Sequence, residues 1–416
     1  MGFGTVGQGL TELLHRQSRT LSDRTGIRFE VAAVFDRSYQ RKADRLGDIP
    51  ASDRPEFVLA NPDIDVVVEL IGGLEPARDF IARALAGGKS VVTANKALLA
   101  RHGNELFDLA RKHSRELGFE AAVAGTLPVI QNMRRILVVN EVDAFFGILN
   151  GTCNFIITRM QDAGMDYNEA LKIAQEKGFA EADPTFDVTG RDAAQKLAIL
   201  AGLAYDAWFE EDAVVTEGIT DVTIQDIRIA GEMGFVIRLL GVARRSDAGV
   251  MLRVHPALVP AGHMLASVKD EKNAVLFDAS FSGPLLIMGH GAGAHPTAAA
   301  VVSDLVAIGR HRPEAPELGF VERESYNMVE SADYRFYLRF RTEDRAGVLA
   351  EIARVLSERG ISIATVHQQE GPEPVDVVVI TYRAPERALL DAIAEVDGMG
   401  FVRAPTVKMR IEDGLS

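Results

Sequence analysis

Residues 177–201 read KGFAEADPTFDVTGRDAAQKLAILA and carry Glu181, Asp183, Asp187, Asp192 and Lys196. Asp192 and Lys196 are four apart, so a helix puts them on one face. On an exposed helix such a pair contributes little. Here the stretch AAQKLAILAGLA is apolar almost all round, which predicts a largely buried helix. A lysine in that setting needs a partner or a depressed pKa. A desolvated lysine can shuttle a proton, and the preceding carboxylates suit a ligand whose ammonium needs anions.

A second lysine, Lys96, follows the apolar stretch VVTAN. That places its amine at the carboxyl end of a strand, where ligands bind in open α/β sheets. The opening MGFGTVGQGL spaces Gly2, Gly4 and Gly7 as G-x-G-x-x-G. This pattern joins a buried strand to a helix whose N-terminus and backbone N–H groups hold a pyrophosphate. Asp36 ends the next strand, where an acid accepts the adenosine ribose hydroxyls. Arg37, with Arg41 and Lys42 nearby, could instead take a 2′-phosphate, which leaves NAD against NADP open.

Strand and helix alternate in the segments that must position these groups. Strands are expected at 28–37, 63–73, 89–96 and 118–125, and helices at 5–18, 75–88 and 102–117. The alternation predicts a doubly wound parallel sheet over 1–125. Its first strand should precede Gly2, so about six apolar residues are expected upstream of Met1. The middle, 126–289, reads as an α+β domain with helices at 152–163, 167–177 and 190–204 and strands at 236–245, 249–259 and 274–283. A second glycine-rich turn runs into a helix over 289–310 and returns the chain to the first domain. A proline-bearing linker is expected at 311–332. From 333 to 416 the order βαββαβ is ferredoxin-like.

The 416 residues carry a net charge of −14, which argues against a nucleic-acid or acidic-membrane partner. The one cysteine, Cys153, excludes an intrachain disulfide and points to a reducing compartment. In NGTCNF it has no histidine close by and reads as a packed residue. No secretory h-region and no run of 18 or more apolar residues appears, so a cytoplasmic enzyme or binding protein is expected. The spacing of His255, His263, His290 and His295 gives no zinc signature.

The segments GFGTVGQGL, VVTANKALLA, FEAAVAGTLPVI, GILNGTCNFIITRM, GFAEADPTFDVTGRDAAQKLAIL and GAGAHPTAAAVVSDL resemble the homoserine dehydrogenases that carry a C-terminal ACT domain. The resemblance implies NAD(P)-dependent interconversion of L-homoserine and L-aspartate 4-semialdehyde. It implies a Rossmann-type sheet, from which this chain departs by lacking the first strand, a substrate and dimerisation domain, and an ACT regulatory domain. Lys196 is then the proton donor and acceptor, and Lys96 the second catalytic lysine. Glu181, Asp187 and Asp192 hold the substrate, and Gly151 and Thr152 line its pocket. Gly2, Phe3, Gly4, Thr5, Val6, Gly7, Asp36, Arg37, Gly72, Lys96, Gly178, Gly291 and Gly293 meet the cofactor. Glu120, Val123, Gly125 and Leu127 match the positions that hold a monovalent cation, Na⁺ or K⁺; Thr126 stands where the family usually has a second glycine. A homodimer or homotetramer is implied, with threonine as an allosteric effector.

Two other readings compete. A 2-hydroxy-acid dehydrogenase with an ACT unit needs an arginine for the carboxylate and a His–Glu pair, a set that cannot be assembled here. A non-catalytic NAD(P)-binding amino-acid sensor would have no use for both Lys96 and Lys196.

Overall fold

A computed structural model of the chain describes residues 1–310, 325–329, 332–369 and 371–414. Most of the linker expected at 311–332 therefore lies outside the described residues. Two compact units are each assembled from separate stretches. The first joins Met1–Gly151, Asp192–Val214 and Glu271–Tyr326; the second joins Thr152–Arg191, Val215–Asp270 and Asn327–Ser416.

In the first unit the apolar run at 63–73 becomes the strand Val66–Glu69, parallel to Ser90–Thr93, which pairs in parallel with Leu117–Gly118. The helices Ala77–Ala86 and Lys96–Lys112 close the two crossovers. Leu10 and Leu14 of the first helix, Thr5–Arg16, share a core cluster with Val92, Ala121 and Ala298, Val301 and Leu305 of the helix Ala294–Arg310. The helix Ala294–Arg310 thus packs in the same core as Val92 of this sheet.

The strand expected at 28–37 is realised only at Val34–Phe35, parallel to Ala51–Ser52. Residues 27–34 and Val66–Val68 line a cavity of about 900 Å³. Met1 and Gly2 bridge one end of it. The Gly2 N–H donates to the Phe35 carbonyl (2.8 Å), the Met1 amine to Val68 O (2.6 Å), and Leu70 N–H to Met1 O (2.9 Å). Two residues thus stand in for a strand, and 28–33 find no ladder partner among the described residues.

The same unit holds an antiparallel group in which Lys272–Ala279 pairs with Val142–Ile148 on one side and Gly283–His290 on the other. The last of these strands was not expected. The turn before it ends at Gly283, whose φ of +71° suits glycine. The buried helix Arg191–Ala204 also belongs to this unit from Asp192 onward.

In the second unit Phe235–Ser246 and Gly249–Pro260 form a long antiparallel pair. The C-terminal part has the expected βαββαβ order: Asp333–Thr342, Val348–Glu358, Ile363–Gln368, Val375–Thr381, Glu386–Asp397 and Val402–Ile411. Val402–Ile411 continues the sheet onto Gly249–Pro260, with Arg410 opposite Ala257 and Ile411 opposite Leu258. A helix not read from the sequence, Ile224–Glu232, is tied to this part through Asp226, which accepts from Arg339 (2.6 and 3.1 Å) and the Tyr337 hydroxyl (3.0 Å).

Candidate active site

The glycine turn has three different steric jobs. Gly2 has φ +89°, and a Cβ on it would lie 2.7 Å from the Leu70 carbonyl oxygen. A Cβ on Gly7 would lie 2.5 Å from the Gly2 carbonyl oxygen. Gly4 faces open space at the N-terminus of the helix Thr5–Arg16. The outer glycines let backbone segments touch, and the middle one leaves the helix terminus open to an anionic ligand.

Asp36 sits beside this turn. Its Oδ2 accepts from Phe3 N–H (2.8 Å) and Lys42 Nζ (2.7 Å), and its Oδ1 from the Ser38 N–H and hydroxyl (each 2.8 Å). Burial opposes its ionisation, but Lys42 and the backbone donors more than offset this and hold the carboxyl well below the usual range. Arg37 is exposed.

Glu69, which sequence reasoning missed, is fully buried at the end of its strand. Its Oε1 accepts from Ile71 N–H (2.6 Å) and Gly72 N–H (3.1 Å), and its Oε2 from the Thr93 hydroxyl (2.6 Å). Asn95 donates to Gly73 O (2.7 Å) and caps the next helix by accepting from Leu98 N–H (3.2 Å). These bonds sew the Gly72–Gly73 turn to the helix that begins at Lys96.

The two lysines meet at one carboxylate. Asp192, only 4% exposed, accepts from Lys196 Nζ (2.7 Å) and Asn150 Nδ2 (2.8 Å) on Oδ2, and its Oδ1 lies 3.3 Å from Lys96 Nζ. Lys196 also donates to the Leu149 carbonyl (2.8 Å). Burial pushes the Asp192 carboxyl up, yet Lys196 and Lys96 outweigh it and the net shift is downward. The carboxylate is therefore ionised at neutral pH. Gly151 follows directly, and a Cβ on it would lie 2.6 Å from the Glu271 carbonyl oxygen.

Other expected site residues lie in the second unit. The buried Thr152 hydroxyl donates to Phe179 O (2.6 Å), next to Gly178 with φ +74°. Glu181 is exposed, and its backbone carbonyl accepts from Gln175 Nε2 (3.2 Å). Asp187 lies in the short helix Thr185–Val188, and its backbone carbonyl accepts from the buried Cys153 Sγ (3.2 Å). The cysteine is packed, as its sequence context indicated.

Near the return segment, Glu120 is 1% exposed and accepts from Ile130 and Gln131 N–H (each 2.8 Å). Burial pushes its carboxyl up to about 7. Ala124 and Gly125 adopt left-handed backbone angles between Val123 and Leu127. A Cβ on Gly125 would collide with the Gly291 carbonyl, and Thr126 donates to His290 O through both its N–H (3.3 Å) and its hydroxyl (3.0 Å). Among the described residues no group of three or more His, Cys, Asp or Glu could hold a metal ion.

The chain matches three family models: homoserine dehydrogenase, NAD binding domain, over 2–120; homoserine dehydrogenase over 128–306; and ACT domain over 336–398. It is 42% identical to a homoserine dehydrogenase of Pseudomonas aeruginosa, covering 99% of this chain and 97% of that protein. Its fold superposes on the crystal structure of a homoserine dehydrogenase from Thiobacillus denitrificans with a TM-score of 0.94, at 41% identity, covering 100% of this chain and 97% of that one. A hyperthermophilic archaeal homoserine dehydrogenase in complex with NADPH matches 76% of this chain and 97% of that one, at a TM-score of 0.64 and 25% identity. These matches favour an enzyme over a non-catalytic sensor. With the glycine turn and the lysine pair in place, they establish that the chain belongs to the homoserine dehydrogenase family, NAD(P)-dependent oxidoreductases.

Proposed function

We propose that Lys196 moves the proton in the interconversion of L-homoserine and L-aspartate 4-semialdehyde, with Lys96 beside the reacting oxygen. The observation that carries this is the single buried carboxylate of Asp192 in contact with both amines. An ammonium has three donors. In Lys196 two directions are taken, by Leu149 O and Asp192 Oδ2. One tetrahedral vertex of Nζ remains. In the neutral amine that vertex is the lone pair that accepts the hydroxyl proton. In the ammonium it is the proton returned to the aldehyde oxygen. One geometry thus serves both directions. When bound, the nicotinamide supplies the hydride acceptor or donor. The turn formed by Gly2, Phe3, Gly4, Thr5, Val6 and Gly7, with Gly72, Gly178, Gly291 and Gly293, holds that cofactor.

Glu181 and Asp187 serve the substrate's ammonium, and Gly151 and Thr152 line its path. Residues 1–125, completed by 290–310, form the nucleotide domain, 126–289 the substrate domain and 333–416 the regulatory domain. The ionised Asp36 favours NAD at least as well as NADP. A monovalent cation fits beside Glu120, whose buried carboxylate it would compensate, with Val123, Gly125 and Leu127 offering carbonyls. The ACT unit takes threonine, and the chain acts as a homodimer or homotetramer. No described helix is long and apolar enough to cross a membrane. The lone cysteine supports a cytoplasmic setting.

The test is the absorbance change of NAD⁺ or NADP⁺ with L-homoserine, run with each cofactor, with Na⁺, K⁺ or neither, and with added threonine. Turnover with homoserine is expected. A strong NADP preference would mean that Arg37 dominates Asp36. Indifference to threonine would leave the ACT unit a structural role.

A further inference from the structure

The Leu149 carbonyl accepts two hydrogen bonds. One comes from Lys196 Nζ at 2.8 Å and the other from Asn273 Nδ2 at 3.0 Å. Asn273 is fully buried in the strand Lys272–Ala279, which pairs with Val142–Ile148 just before Leu149. A carbonyl can face only the donor end of an amide. The Asn273 Oδ1 is thereby turned away, and it is buried without a hydrogen-bond partner among the described residues. Burying a lone amide oxygen is unfavourable, so this side chain is not placed to satisfy itself. The surrounding backbone is shaped around it. A Cβ on Gly291 would collide with the amide, and one on Gly151 would come within 3.4 Å of Oδ1.

We propose that Asn273 is a positioning residue for Lys196, acting through the Leu149 carbonyl; the proposal rests on the reading of Lys196 as the proton carrier. The peptide after Leu149 leads into Asn150, whose Nδ2 donates to the same Asp192 oxygen that accepts from Lys196. Asn273 therefore restrains both anchors of the Lys196 amine. Without it the 149–150 peptide can rotate, and the open vertex of Nζ loses its aim.

The test compares Asn273→Asp, Asn273→Ser and Lys196→Ala with the parent enzyme. It measures kcat, the KM for homoserine, NAD(P) affinity, melting temperature and the pH profile. Burial raises the carboxyl of an aspartate at 273. In the alkaline arm of the profile, where it is ionised, it sets oxygen against the Leu149 carbonyl, so there kcat should fall about 10- to 100-fold, the scale of a misplaced reacting group. The KM and the cofactor affinity should stay within about threefold, as for an interaction that matters in the transition state. As pH is lowered the aspartate gains a proton and can donate again, so the variant-to-parent ratio of kcat should recover. The serine variant should lose kcat with no such recovery. A Lys196→Ala enzyme with near-normal turnover would overturn the reading of Lys196 itself. A dead Lys196→Ala beside an Asn273→Asp enzyme whose kcat stays normal even in the alkaline arm, or whose loss is confined to KM or independent of pH, would overturn the positioning role alone. If the aspartate variant fails to fold, the kcat-against-KM split in the serine variant decides.

Discussion

At the residue scale, the chemistry rests on a few side chains that fix one another. Lys196→Ala should lower kcat by about 10²-fold or more, the scale of a lost acid–base group. NAD(P) affinity should hardly change, because none of the described contacts of Lys196 reaches the glycine turn; steady-state kinetics with cofactor titration checks both. Glu69→Gln keeps one oxygen for the Ile71 and Gly72 N–H groups but sets an amide N–H against the Thr93 hydroxyl, which loses its acceptor. That change should cost about 1–3 kcal/mol and loosen the Gly72 turn. A lower melting temperature with weaker NAD(P) binding is expected, and an unchanged protein would show that the turn does not depend on Glu69. Asp192 and Lys196 were legible in the sequence because their spacing falls on an apolar helix. Glu69, Asn150 and Asn273 were not. Each is a single polar residue in or beside an apolar strand, and each earns its place by a partner that folding brings near. Asn273 and Leu149 are 124 positions apart.

The elements show the same division. Parallel strands, crossover helices and the C-terminal βαββαβ order were legible, because continuous apolar runs and helical periodicity are local signals. The strand Gly283–His290 was not, since PLLIMGH opens on proline and shows no alternation. The short strand at Val34–Phe35 marks the limit of pattern reading, because a ladder needs a neighbour as well as a suitable sequence. Extending the chain before Met1 by about six apolar residues should place a strand in the cavity beside Val66–Val68. The melting temperature should rise by about 5 °C or more, and NAD(P) should bind more tightly. Equal values in both chains would refute that assignment of the cavity. The glycine turn gives a sharper contrast. Gly7→Ala forces a Cβ against the Gly2 carbonyl and should lower both stability and NAD(P) affinity. Gly4→Ala meets no protein atom, so only the cofactor should notice it. Calorimetry paired with cofactor titration separates the two, and equal melting losses would show the turn to be read wrongly.

At the scale of the whole molecule, the ACT part is built into the second unit, not hung from it. Arg410 pairs with Glu217 (2.7 Å) and Glu386, and Arg253 reaches Glu386 (2.8 Å). Nearby, Glu412 lies 2.7 Å from Arg244 and 3.7 Å from His255. Burial pushes the Glu412 carboxyl from 4.5 up to about 7, although Arg244 pulls the other way. Burial, with Arg410 and Arg253 beside it, pushes the His255 imidazole well below 6.5. Between pH 4.5 and 6.5 folding thus adds a proton at Glu412 and removes one at His255, and the two slopes cancel. Glu412→Gln leaves only the histidine. Its stability should then fall, relative to the parent, as pH drops below 6.5, by up to about 1.4 kcal/mol per pH unit. Urea melts of both proteins across that window check the sign; parallel curves would show that the pair is not coupled to folding.

The helix Ala294–Arg310 covers a sheet face whose last strand ends at Gly118. At about 5–20 residues per second, the ribosome needs roughly 10–40 s to deliver it. Through that interval Leu10, Leu14 and Val92 lack the partners that this helix supplies, Ala298, Val301 and Leu305. The nascent nucleotide half therefore waits with part of its core uncovered, and supplying holding chaperones during translation should raise the yield of folded protein.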